Sequence, residues 1–429
     1  MTRATHRPGP AKRSSRHVER ADSRSVPAAP LGYRPALDGV RAIAAMAVMS
    51  WHYVVPGVKG GFLGVDVFFT LSGFLITSLL VEEWSTTGAV RLSRFYGRRF
   101  LRLIPAVIVV LAVSAPFVPW SWTVLALCYA ANWGVITGHF GVSPIRHLWS
   151  LSVEEQFYIV WPILLVILLR ARAPRRWFYA VVALLALAST TFKIVAWRSP
   201  ADWVRLFHGS DGRADQLWIG CGLGLFLSWS TVAGRRGFRS LVRVVVIPAI
   251  VFLGYLFVNA AVYWEFFYRD AGFALVALAT AIVLLHLMTA PYRWLAAILE
   301  WRPLVAIGRI SYGLYLWHQP VGWFTDPRRF ALFATAPRYG IMAARVILAF
   351  ALAGASWFVI ERPMRRLRQR FEPVGRRPGA TVEEARVPRR RTGAHVDPVS
   401  AATPVRHEQL ARARDGARTA RGSGREPVR

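Results

Sequence analysis

Apolar residues fall into ten runs near bilayer length, at about 37–57, 62–81, 100–119, 148–169, 177–197, 214–232, 243–260, 271–290, 303–323 and 340–361. A hydrocarbon core roughly 30 Å thick asks for about 20 helical residues, so each run predicts a membrane-spanning helix. A further piece, 121–137 (SWTVLALCYAANWGVIT), is shorter and broken by polar and small residues. Charge decides how it is read. The basic clusters are the N-terminal arm, Arg91 to Arg102, Arg170 to Arg176, Arg235 to Arg243, Arg293 with Arg302, and the C-terminal tail. All six lie on one side only if 121–137 does not cross. The expectation is an all-α, polytopic integral membrane helical bundle of about ten transmembrane helices with one re-entrant or interfacial segment. Both termini are then cytoplasmic, and 56–61, 120–147, 198–213, 261–270 and 324–339 lie outside.

The polar positions inside these runs are patterned too. Arg41 and His52 are separated by an almost wholly apolar stretch and fall about 20° apart on one helix face, with Asp38 nearly in line. Ionisable groups at membrane depth are costly unless they face a partner or a cavity, which makes this stripe a candidate site. The plainer reading puts Asp38 and Arg41 at one membrane surface and His52 at the other. In the second run Asp66, Thr70, Gly73 and Thr77 share a face. The hydroxyls and the glycine suit close helix packing, whereas Asp66 requires a partner.

Composition sharpens the membrane assignment. The chain is 54% hydrophobic, holds 18 Trp and 25 Phe, and carries a net charge of +31. That charge is segregated: residues 1–35 hold eight Lys or Arg and two acidic residues, and 364–429 hold 17 and seven. Both segments lack apolar periodicity and read as disordered basic cytoplasmic arms against anionic lipid, flanking a membrane domain at 36–363. Nucleic-acid binding is not expected, because the charge lies outside any folded surface. Cys128 and Cys221 are the two cysteines, so neither a disulfide framework nor a thiolate metal site is expected.

Further constellations carry chemistry. Arg91, Arg94, Arg98 and Arg102 form one helical stripe with Arg99 beside it. They read either as an anchor to lipid phosphate or as a site for a multiply phosphorylated ligand, which guanidinium forks bind in bidentate fashion. His147, Ser152, Glu154 and Glu155 open the fourth run, where adjacent carboxylates would repel unless one is paired or protonated. No three-ligand metal spacing accompanies them. Asp211, Arg213 and Asp215 open the sixth run and read as an ion pair fixing a loop. Ser311, Tyr315 and His318 share a face of the ninth, and Glu361-Arg-Pro363 closes the tenth as a structural ion pair.

The motifs in order are R-x-A-L-D-G-x-R-A-x-A-A…H (34–52), G-V-D-x-F-F-x-L-S-G-F-L-I (64–76), R-F-Y-x-R-R-x-x-R-x-x-P (94–105), H-x-W-S-L-S-V-E-E-Q-F-Y-x-x-W-P (147–162), D-x-R-x-D-x-x-x-x-G (211–220), I-S-Y-x-L-Y-L-W-H-x-P (310–320) and E-R-P (361–363). This series resembles the membrane-integral acyltransferase 3 family from about residue 34 to 368, in its single-domain branch. The resemblance implies an O-acyltransferase that takes an acyl group, usually acetyl, from cytosolic acyl-CoA. The acceptor is a hydroxyl of a cell-surface glycan or of a glycosylated, macrolide-type natural product. It also implies that acyl-CoA is a co-substrate and that no cofactor is needed. The family's first-span histidine matches His52, its arginine motif matches Arg94, Arg98 and Arg99, and its S-x-E-E block matches Ser152, Glu154 and Glu155.

The residues suit that chemistry. Acyl transfer to a hydroxyl calls for a base near neutral pKa, for which His52 is the natural choice. Glu154 or Glu155 would orient it, and Asp66 less readily. Arg94, Arg98, Arg99 and Arg102 would hold acyl-CoA. Asp38, Arg41, Asp66, Ser152, His147, Asp215, Tyr315 and His318 would support the site. The competing class is a proton-coupled transporter or flippase, which also uses intramembrane Arg, His and Asp, although no inverted repeat is evident.

Overall fold

A computed structural model describes residues 32–368. The arm and tail expected at 1–35 and 364–429 lie outside these residues, apart from 32–35 and 364–368. Among the described residues every regular element is helical. In chain order the helices are α1 (Pro35–His52), α2 (Gly64–Thr87), α3 (Leu92–Ser114), α4 (Trp120–Leu127), α5 (Ala131–Ile136) and α6 (Leu148–Arg170). Then come α7 (Arg175–Ala196), α8 (Trp203–His208), α9 (Ser210–Trp229), α10 (Arg236–Asn259), α11 (Glu265–Arg269) and α12 (Gly272–Thr289). The last five are α13 (Arg293–Leu299), α14 (Arg302–Arg309), α15 (Ser311–Phe324), α16 (Arg338–Ser356) and α17 (Arg362–Arg368).

Seven of these elements are long and apolar enough to cross a bilayer: those built on α2, α3, α6, α7, α10, α12 and α16. The other three expected spans are helical but fall outside that set. α1 carries Asp38, Arg41 and His52, α9 carries Asp211, Arg213 and Asp215, and the ninth run divides at Ile310 into α14 and α15. The piece 121–137 is two short helices, α4 and α5, separated by a turn in which Tyr129 has φ 52°. The helical domain also runs past residue 363, the boundary expected from composition. α16 continues through a π-helical turn, Trp357–Glu361, into α17, where Arg365 lies 4.5 Å from the centroid of the Trp357 ring.

Small residues set how closely the helices approach. A Cβ on Gly73 would stand 2.0 Å from the carbonyl oxygen of Leu217, and one on Gly220 would stand 2.1 Å from that of Thr70, so α2 and α9 touch backbone to backbone. Trp161 of α6 donates its indole N–H to Thr77 Oγ1 at 2.8 Å, bonding a third helix to the same face. Close packing of Thr70, Gly73 and Thr77 thus does what their spacing suggested. The first and last described helices meet at one end of the bundle, where Tyr33, Asp38, Met364 and Arg365 line a common cavity.

Candidate active site

Three cavities follow one another through the bundle. The first, about 510 Å³, gathers Arg41 and Asp38 from α1, Arg102 from α3, Arg309 from α14, Glu361 from the π-helical turn and Arg365 from α17. The second, about 130 Å³, shares Arg41, Arg102 and Tyr312 with the first and adds Arg99, Ser72, Glu154 and Tyr158 against an apolar wall from α2. The third, about 90 Å³, shares Val65 and Tyr315 with the second and contains His52, His147 and His208. α1 runs the length of the series. Arg41 to His52 is 11 residues, about 16 Å of helical rise.

His52 sits at the C-terminus of α1, where two contacts fix its ring. Nδ1 lies 2.9 Å from the carbonyl oxygen of Val48 and 3.3 Å from Nε2 of His318. A carbonyl only accepts, so the proton belongs on Nδ1 of His52 and the lone pair on Nε2. His318 follows the same rule: its Nδ1 lies 2.6 Å from the carbonyl oxygen of Tyr315, which leaves Nε2 to accept from His52. The second imidazole thereby holds the first in the tautomer a general base requires. His147 completes the cluster, its ring centroid 5.1 Å from that of His318. Tyr315 donates to the carbonyl of His147 at 2.9 Å and accepts from the Ser150 hydroxyl, joining α15 to α6 beside the histidines.

The glutamates are placed elsewhere. Glu155 receives Arg99 Nη2 at 2.9 Å, and Glu154 accepts hydrogen bonds from the hydroxyls of Ser72 and Tyr158. The Arg99 guanidinium also covers the Tyr158 ring at 3.0 Å. Neither carboxylate meets His52; the bundle puts His318 where sequence reasoning put a glutamate. The arginine stripe is divided as well. Arg98 pairs with Glu83 at 3.2 Å and Arg99 turns inward. Arg102 reaches the first two cavities, and Arg94 lines none of the three. Arg41 donates to Ser311 Oγ at 3.1 and 3.2 Å, and Asp38 accepts from Tyr33 at 2.8 Å. Ser152 is tied up structurally, donating to the carbonyl of Leu148 and accepting from the backbone N–H of Ala131.

Asp66 and Asp215 lie in a separate, sealed network. Asp66 is 3.1 Å from Arg213, and Asp215 is paired with Lys193; all four side chains have zero exposure. The loop pair involving Asp211 is real but is made with Arg205, at 2.6 Å. Glu361 has no ion pair among the described residues. Sequence reasoning missed Arg309 and Arg365, which join the first cavity from helices remote in the chain, and it missed Arg146 and His208 in the third. Arg309 is legible beside the I-S-Y block, whereas Arg365 sits in a basic run that reads as tail. Among the described residues no His, Cys, Asp and Glu group could hold a metal ion.

Helical spans around a histidine pair, with an arginine-lined cavity at one end of the series, define a polytopic membrane protein with an internal site. The "Acyltransferase domain" family profile matches residues 34–360, and the chain belongs to that acyltransferase 3 family. It is 33% identical over 353 residues to the peptidoglycan O-acetyltransferase OatA of Listeria monocytogenes, covering 78% of this chain and 56% of the relative. It is 34% identical to the putative peptidoglycan O-acetyltransferase YrhL of Bacillus subtilis (80% and 56%) and 32% to the O-acetyltransferase OatA of Staphylococcus aureus (78% and 57%). The chain thus spans just over half the length of these curated relatives. No solved structure matches it.

Proposed function

We propose that this chain is a membrane O-acyltransferase that moves an acyl group, most simply acetyl, from cytosolic acyl-CoA to a hydroxyl of a carbohydrate acceptor. The observation that carries the reading is the shared wall of the three cavities, which joins an arginine-lined opening to the free Nε2 of His52. The phosphates of coenzyme A suit Arg41, Arg102, Arg309 and Arg365, since guanidinium groups bind phosphate oxygens in bidentate fashion. The pantetheine arm would cross the second cavity and bring the thioester towards His52.

There the acceptor hydroxyl gives its proton to His52 Nε2 as its oxygen attacks the thioester carbon. The C–S bond then breaks, and the departing thiolate takes the proton back, leaving an ester and free coenzyme A. Positive charge that develops on His52 is shared through Nδ1–H with the Val48 carbonyl and His318. The relatives' peptidoglycan activity supports a cell-wall glycan as acceptor ahead of a macrolide-type product.

The arrangement also favours ten crossings. The first and last described helices meet at one end of the bundle, which requires an even number of crossings, and adding α1, α9 and the α14–α15 pair to the seven long helices gives ten. With the basic clusters inside, both termini are cytoplasmic and the membrane is the plasma membrane.

The test is radiolabelled acetyl-CoA supplied to inside-out vesicles holding wild-type or His52→Ala protein, with label followed into glycan. Acceptor-dependent labelling that vanishes in His52→Ala is the expected result. Full labelling by His52→Ala overturns the role of the base, and acceptor uptake without coenzyme A release would favour transport.

A further inference from the structure

The ends of α10, α12 and α13 meet at a basic patch that the transfer chemistry at His52 does not use. Arg236, Arg239 and Arg243 recur at i+3 and i+4, so they share one face of α10, and all three are exposed. Among the described residues none of them is paired with a carboxylate. On the topology proposed above, this end of the bundle lies at the inner membrane surface beside anionic lipid.

Tyr292 builds the patch. Its phenol donates to the Arg243 carbonyl oxygen at 2.9 Å and its backbone N–H to His286 Nε2 at 2.9 Å, which ties the turn after α12 to α10. Arg243 Nε donates to the Ala290 carbonyl at 3.4 Å, and the guanidinium lies 5.9 Å from the centroid of the Tyr292 ring. One edge of the fork is thus anchored, while Nη1 and Nη2 are left to a ligand. Trp294 stacks on Tyr292, the ring centroids 6.1 Å apart and the planes 19° from parallel. α13 then divides by face. Leu295 and Leu299 are buried in the core they share with Ala36, Leu37 and Val40 of α1, whereas Trp294, Ile298 and, just past the helix, Trp301 are exposed. A Cβ on Gly39 would stand 2.1 Å from the Leu299 carbonyl oxygen, so α13 is held backbone to backbone against α1. A firmly seated short helix with indoles outward and arginines beside it suits the membrane interface, where indole sits at headgroup level.

We propose that this patch is a binding site for an anionic phospholipid of the inner leaflet, with Arg243 and Arg239 holding its phosphate and Trp294 and Ile298 meeting its glycerol and upper acyl chains. Guanidinium forks bind phosphate oxygens in bidentate fashion, and the apolar surface beside them favours a phosphate that carries a lipid over a free one. The inference goes beyond acyl transfer. Of the readings above it rests on the topology alone, and it uses none of the residues that line the three cavities.

The experiment uses the full chain in nanodiscs of phosphatidylcholine with a minor share of phosphatidylglycerol, and native mass spectrometry counts each lipid that stays bound on release. Wild type is expected to retain phosphatidylglycerol in preference. Arg243→Gln should weaken that retention about fivefold, the effect of one basic residue near anionic lipid. Arg243→Lys should keep most of it, and Trp294→Ala should weaken retention of both lipids. Arg269→Gln, which removes an exposed charge from α11, should change nothing. Equal retention of the two lipids by wild type, or an undiminished preference in Arg243→Gln, overturns the proposal. So does displacement of the lipid by millimolar inorganic phosphate, which would make the patch a free-anion site. A lipid-independent dimer abolished by Trp301→Ala overturns it too, by seating a second copy there. Nanodiscs expose both leaflets, so the side is read separately: in a Cys128→Ser background, Ala297→Cys should resist a membrane-impermeant maleimide in right-side-out vesicles. Labelling there would overturn the topology, and the preference measured in nanodiscs would still uphold the site.

Discussion

The bundle holds buried ion pairs of two kinds. Asp66–Arg213 and Lys193–Asp215 join α2, α7 and α9, show no exposed side-chain surface, and lie outside the three cavities. Phe273 and Phe207 stand 4.0 and 4.8 Å from the Arg213 guanidinium, so ring faces supply what aligned hydrogen bonds do not. Arg99–Glu155 uses the same chemistry but keeps 11% and 14% of its side-chain surface exposed, and Arg99 lines the second cavity beside Glu154 and Tyr158. The first network fastens helices to one another; the second presents charge to whatever fills the cavity. An ionisable group at membrane depth therefore marks a functional site only where open space reaches it.

The comparison can be broken first at the sealed pair. Asp66→Asn leaves a buried guanidinium uncompensated and should cost about 3–5 kcal/mol of stability, read as a lowered melting temperature in nanodiscs. The double variant Asp66→Leu with Arg213→Met should recover most of that stability and keep acyl transfer. A double variant as damaged as the single would show that the network does more than fasten helices. In the cavities the expected sign is the reverse, with activity lost and stability kept. Arg365→Ala or Arg102→Ala should raise KM for acetyl-CoA roughly 10- to 100-fold at unchanged melting temperature. Tyr158→Phe removes one hydroxyl from Glu154 and should cost about 1 kcal/mol, seen in kcat/KM. The smallest effect is expected from Glu361→Gln. Removing a negative charge from the arginine-lined cavity should lower KM for acetyl-CoA by a few fold, because partly solvated charges interact at roughly 0.2–1 kcal/mol.

Much of the scaffold is readable in the chain because helix packing obeys local spacing. Thr70, Gly73 and Thr77 announce a close crossing, and α2 makes it with α9. What spacing cannot supply is the partner. Asp66 demands a cation, and Arg213 lies 147 positions later in a block that reads equally well as a loop clasp. The arginines of α3 look like one surface because they share a stripe, yet Glu83 claims Arg98 and Glu155 claims Arg99, and neither claim can be read from α3 alone. His52 and His318 were each visible as candidates. Their contact depends on where α1 and α15 cross, and that crossing carries no sequence signature.

The second and third cavities meet at Val65 and Tyr315, and Tyr315 is held there by its bonds to Ser150 and the His147 carbonyl. A water-filled bore through the bundle would let protons run down the gradient that energises the cell. The phenol ring, in the wall that the two cavities share, therefore stands like an electrical insulator between them.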